Sequence, residues 1–142
     1  MTKQHETDPN GKSAKDKGSK LDDGKSEIMS LALGYFPRAL GAVAKVSRKG
    51  AIKYSPFGWQ TVPGGVVRYT DAMGRHLAKE FMGQYIDSEF NAEDEQIGTL
   101  EPHAAQVAWN ALARLELILA EKAGEEIVEP PEWAFGNYSK DK

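Results

Sequence analysis

The chain is expected to be all-α, a small helical bundle with long loops. Three observations carry that expectation: helical spacing of apolar residues in three segments, breakers bunched between those segments, and little two-residue alternation of the kind a strand needs. With 142 residues and 15.6 kDa it has the length of one domain. Residues 1–20 contain no Val, Ile, Leu or aromatic side chain and are rich in Lys, Asp, Ser and Gly. Such a stretch buries too little apolar surface to offset its ordering entropy and is expected to be a disordered tail. Order is expected from about Leu21, with the domain spanning residues 21–124.

The first helix is predicted over Pro37 to Lys49. Proline suits a first turn, Leu40, Val43 and Ala44 share a face, and Gly50 is a candidate stop. Residues 54–66 hold Ser55-Pro56, Phe57-Gly58-Trp59 and Pro63-Gly64-Gly65, which interrupt any helix and mark a loop with aromatic anchors. A second helix is predicted from Val66 to Phe81 or Met82, with Met73, Leu77 and Phe81 as its core face. The segment from Gly83 to Glu101 carries Asp87, Glu89, Glu93, Asp94, Glu95 and Glu101 and reads as an acidic connection. A third helix is expected from Pro102 to Ala123, stopped by Gly124. Residues 125–142, with Pro130-Pro131 and three aromatics, read as an extended strap.

Composition narrows the function. A net charge of −3 argues against a protein built to neutralise nucleic-acid phosphates, so no nucleic-acid partner is expected. No run approaches the roughly 20 apolar residues of a membrane helix, and no apolar leader begins the chain, so a cytoplasmic protein without a membrane partner is expected. Without cysteine, a metal would be held by oxygen or imidazole donors, which favours hard cations such as Mg²⁺ or Mn²⁺. A folded part of this size makes a modest core, so homo-oligomerisation is expected to help it.

On the third helix the polar residues His103, Gln106, Asn110 and Arg114 fall within an arc of about 80°. Their directional hydrogen-bonding groups suit a ligand, a solvated face or a buried polar network between subunits. On the second helix Asp71, Arg75 and Lys79 lie four apart, with His76 at their flank. A surface ion pair accounts for that spacing. So does a phosphate-gripping face, once it is combined with the acidic connection. Phosphate-loop, nucleophile-elbow and zinc-protease motifs are absent. Glu125-Glu126-Ile127-Val128-Glu129 fits a Glu-Glu-x-x-Glu pattern, but Pro130-Pro131 follows at once and no Glu-x-x-Asp lies downstream.

Four pieces in order carry a family resemblance. They are Asp22-Asp23-Gly24-Lys25; Gly50-Ala51 with Lys53-Tyr54 and Trp59; Arg68-Tyr69 with Asp71-Ala72 and Arg75-His76; and Asp87 with Glu89 and His103 to Asn110. Together they resemble the small, largely phage-encoded family of dATP/dGTP diphosphohydrolase N-terminal domains, over about residues 21–120. The resemblance implies a helical enzyme, related in function to MazG-like pyrophosphohydrolases, that cleaves a purine deoxynucleoside triphosphate to the monophosphate and pyrophosphate. The chain differs from the family pattern at Gln106, where a second helical His is expected, and at Gln84, where an acidic residue is common.

On this reading Asp71, Asp87 and Glu89 hold Mg²⁺ or Mn²⁺. Lys53 and Arg75 meet phosphate, Tyr54 and Trp59 stack on the base, and His76, His103 and Asn110 serve catalysis or orient water. The alternative is a nucleotide-binding or host-protein-binding accessory protein that keeps the fold without the reaction.

Overall fold

The structure, a computed structural model, describes residues 6–124. The expected strap over 125–142 and the Glu-Glu-x-x-Glu match lie outside the described residues. Two units are distinguished, one up to Pro37 and one from Arg38 onward. The described elements are helical: α1 (Pro37–Lys53), α2 (Gly65–Phe81) and α3 (His103–Ala123), with a π-helical turn at Met29–Leu33 and a 3-10 turn at Gly58–Thr61. The described residues form no named strand; only isolated bridges, Ile86 with Pro102 and Phe90 with Gln96, occur. The protein is all-α.

In the first unit, residues 6–20 contain hydrogen-bonded turns. The Asp8 carboxylate joins two of these turns: Oδ1 accepts from the Asn10 amide and Oδ2 from the Lys20 amide, both at 2.7 Å. Lys25 Nζ meets Glu6 Oε1 at 2.9 Å. A composition argument sees the lack of apolar residues but not these side chain to backbone bonds.

In the second unit, α1 runs through Gly50 to Lys53, three residues past the predicted stop. A single interior glycine costs roughly 1 kcal/mol relative to alanine, which a helix absorbs. The true interruption is Ser55-Pro56, because a residue before proline is pushed out of the helical region. By contrast, α3 ends where expected: Gly124 has φ 64° and its amide reaches back to the carbonyls of Ala120 and Glu121.

Helices α2 and α3 form the main packing pair. Gly65 permits their close approach, since a Cβ there would lie 2.8 Å from Leu117 Cδ1. At the same end three rings interlock edge to face: Trp59 with Trp109 at 5.8 Å, Tyr69 with Trp109 at 5.6 Å and Trp59 with Tyr69 at 6.3 Å. The Tyr69 hydroxyl donates to the Trp59 carbonyl at 2.6 Å, and Trp109 Nε1 donates to Ser47 Oγ at 2.9 Å, which ties α1 to the pair. Burial pushes the Tyr69 phenol above its ordinary value against the pull of Arg68, so it remains a donor.

The polarity of the pair reverses the usual arrangement. The polar stripe of α3 is turned inward: His103, Gln106 and Asn110 are buried, and Arg114 Nε donates to Thr70 Oγ1 of α2 at 2.6 Å. Leu112, Leu115 and Leu119 lie opposite that stripe within an arc of about 60° and are 45–53% exposed. The expected core face of α2 needs the same correction, since Leu77 is 41% and Phe81 86% exposed. Regular spacing identifies a face, but tertiary packing decides which face is covered.

Candidate functional site

The α2–α3 contact places two imidazoles together. His76 Nδ1 and His103 Nδ1 are 2.8 Å apart, with ring centroids at 5.1 Å. One nitrogen must donate and the other accept, so the pair holds a proton between them and disfavours the doubly protonated state. His103 is 2% exposed, and its amide donates to the Tyr85 carbonyl at 2.8 Å, fixing the first turn of α3 against the segment leaving α2.

Beside this pair lies a cleft of about 510 Å³, a volume within the ordinary range for small-molecule sites. Lys79, Tyr85, Asp87, Glu89 and His103 contribute to its wall. Lys79 lies one helical turn beyond His76, and its Nζ meets Glu89 Oε2 at 2.8 Å. The cleft thus joins a proton-sharing group to an ammonium ion that can exchange its carboxylate partner for a phosphate oxygen.

Asp87 is buried and heavily engaged. Its Oδ2 accepts from the Thr99 amide at 3.1 Å, the Thr99 hydroxyl at 3.3 Å and Gln106 Nε2 at 3.2 Å. Gln106 also donates to Thr99 Oγ1. The Asp87 amide donates to the Glu101 carbonyl, and the Leu100 amide donates to the Asp87 carbonyl. These bonds close the acidic connection into a loop whose ends meet. Lys49 secures the loop to α1 through the Thr99 carbonyl and, at 3.2 Å, through Glu101 Oε1. Gly98 is required inside it, because a Cβ there would fall 2.4 Å from the Asp87 carbonyl oxygen and 2.6 Å from the Glu89 amide. Gln106 uses its amide group to hold Asp87 and Thr99 together.

The expected site residues divide into those the fold gathers and those it separates. His103, Asp87 and Glu89 line the cleft, and His76 is joined to it through His103. Arg75 is exposed on α2 and contributes positive charge near His76. Asn110 is buried and turned onto its own helix, donating to the Gln106 carbonyl at 2.8 Å. Trp59 belongs to the three-ring cluster. Lys53 sits over the Tyr54 ring, 5.2 Å from its centroid, and neither residue lines the cleft.

Asp71 is exposed and also absent from the cleft wall. Among the described residues no three His, Asp or Glu side chains form a group able to hold a metal ion. The donor set therefore does not fit a metal held by Asp71, Asp87 and Glu89 together. Two carboxylates remain at the cleft, and Mg²⁺ commonly uses one or two with substrate phosphates completing its shell.

Sequence reasoning identified Lys79 as part of a charged helix face but left it out of the site. Its spacing from His76, three residues along a helix, was the available signal. Tyr85 and Thr99 carry no motif and become visible only when the loop closes.

Burial holds the His76 imidazole below its ordinary value of 6.5; Asp87 opposes the shift, while His103, Lys79 and Arg75 add to it. The folded state therefore binds fewer protons than the unfolded chain as pH falls below 6.5. The stabilising contribution is complete above 6.5 and is lost as pH falls through the lower folded value. Thermal unfolding at pH 7.5 and about pH 5.5 should show a larger fall in Tm for wild type than for His76→Gln. Equal falls would contradict the assignment.

No helix among the described residues is long and apolar enough to cross a membrane. No curated protein and no solved structure matches the chain. A family model described as dATP/dGTP diphosphohydrolase, N-terminal, matches residues 15–127, spanning all three main helices and both sides of the cleft. The chain belongs to the dATP/dGTP diphosphohydrolase N-terminal domain family.

Proposed function

We propose that the protein hydrolyses a purine deoxynucleoside triphosphate, dGTP or dATP, to the monophosphate and pyrophosphate. The observation carrying this reading is the His76–His103 pair beside Lys79 at the cleft, in a chain of a diphosphohydrolase family. Water attacks the α-phosphorus, and its proton passes to the histidine pair, in which burial keeps the His76 imidazole neutral and so able to accept. The bond from the α-phosphorus to the bridging oxygen breaks and pyrophosphate leaves. Lys79 releases Glu89 to meet phosphate, and Arg75 adds positive charge at the rim.

The proposed cofactor is Mg²⁺ or Mn²⁺ arriving with the triphosphate, with Glu89 and Asp87 as the carboxylates at the cleft; when bound, it neutralises phosphate charge. The test is pyrophosphate release from each of the four deoxynucleoside triphosphates, with the cation and with chelator. Release from dGTP or dATP that chelation abolishes supports the reading. Binding without release would select the alternative of a nucleotide-binding accessory protein.

The partner that best fits the exposed leucine face of α3 is a second copy of the chain. Leu112, Leu115 and Leu119 have the three-then-four spacing of a helix–helix seam. A two-fold axis lays this face on itself and so covers it with one matching surface. The cytoplasm is the proposed location, because a deoxynucleotide pool is the substrate source.

A further inference from the structure

We propose that Tyr85 forms the base-binding subsite of the cleft, with its phenol ring stacking on the purine while Lys79 meets the phosphates. This assignment rests on the nucleotide reading of the same site and goes beyond it by locating the base. The two aromatics that sequence alone favours are elsewhere: Trp59 is locked among Tyr69 and Trp109, and Tyr54 is outside the cleft wall. Tyr85 lines the cleft with Lys79 and His103 and is 70% exposed, so its ring retains surface for a ligand.

The Tyr85 backbone is fixed on both sides. Its carbonyl accepts the His103 amide at 2.8 Å, the neighbouring Gln84 amide donates to the Lys79 carbonyl at 3.0 Å, and Ile86 bridges to Pro102. A platform held this way has only two side-chain torsions to restrict when a base docks, so little of the stacking energy is lost to ordering. Ile86, which also lines the cleft and is 48% exposed, provides an apolar edge beside it. The wall therefore offers both apolar surface, from Tyr85 and Ile86, and charge, from Lys79, Asp87 and Glu89, the two kinds of contact that the base and the phosphates of a nucleotide need. A bicyclic purine covers more of a phenol ring than a pyrimidine does, which gives the subsite a purine preference.

The test is equilibrium titration of wild type, Tyr85→Ala and Tyr85→Phe with two probes in Mg²⁺. One is α,β-imido-dGTP, which carries the base and resists the proposed cleavage; the other is inorganic tripolyphosphate, which has no base. Tyr85→Ala should weaken the nucleotide analogue by about ten- to a hundredfold, as loss of one base–aromatic stack does. It should leave tripolyphosphate unchanged, and Tyr85→Phe should bind both probes like wild type. The α,β-imido analogue of dCTP should lose less than that of dGTP.

Unchanged analogue affinity in Tyr85→Ala, or an equal loss of tripolyphosphate, would overturn the subsite. Tight analogue binding by wild type without pyrophosphate release from dGTP would remove the catalytic reading and leave the subsite in place. Failure of wild type to bind either probe would overturn both.

Discussion

Replacing His76 with alanine is expected to lower pyrophosphate release by about 10²–10⁴-fold, the range for losing a positioned general base. The residue is only half-buried, so the fold should survive; its partner His103, at 2% exposure, is the riskier position to truncate. His76→Gln provides the necessary second variant. An amide can keep a hydrogen bond to His103 but cannot accept a proton at neutral pH, so it should retain the wild-type helical spectrum and remain inactive. A role in packing alone would instead let glutamine restore turnover. Both variants should be assayed under saturating nucleotide, because the expected loss is in kcat, with a smaller change in KM.

The second large effect is expected at the surface of α3. Leu115 is 49% exposed in the single chain, so Leu115→Glu should cost an isolated protomer only about 0.5 kcal/mol or less. At a two-fold interface the same substitution places unpaired carboxylates in an apolar seam, a penalty of several kcal/mol that separates the subunits. Light scattering after gel filtration should therefore give at least twice the chain mass of 15.6 kDa for wild type and 15.6 kDa for Leu115→Glu. A wild-type protein that runs as a single chain would contradict the second copy as the occupant of this face. Covering by another part of the same chain would then have to account for the leucines.

The contrast between the two stripes of α3 shows how far the sequence could be read. Its boundaries were legible because Pro102 and Gly124 carry local backbone preferences that need no tertiary contact. The alignment of His103, Gln106, Asn110 and Arg114 was legible from periodicity as well. Their burial against α2 was not, because a helix with apolar residues around most of its circumference offers two faces that packing can cover. The same ambiguity placed Leu77 and Phe81 in an expected core, although both are exposed in the protein. Gly50 misled for a different reason: a glycine is a weak helix stop, and Ser55-Pro56 is the stronger one.

The site was partly legible. His76 and His103 come from separate elements, which the sequence joins only by the similar polar groups on both helices and by the resemblance; the 2.8 Å contact supplies the physical reason. Asp87 and Glu89 reach the same cleft, yet their partners could not be read from the sequence. Asp87 is occupied by Thr99 and Gln106, and Glu89 by Lys79. The sequence shows a carboxylate in an acidic run but not the groups it already bonds. Trp59 is the aromatic counterpart, since an indole that packs against two rings has the same sequence signature as one awaiting a base.

The most direct test of the central claim is a paired assay of wild type and His76→Gln for pyrophosphate release from dGTP and dATP in Mg²⁺. The expected result is release by wild type, none from chelated samples, and a loss of about 10²-fold or more in the variant with its helical spectrum intact. Equal release by the two proteins would contradict the histidine pair as the proton acceptor. No release by folded wild type from either nucleotide would contradict the hydrolytic reading itself.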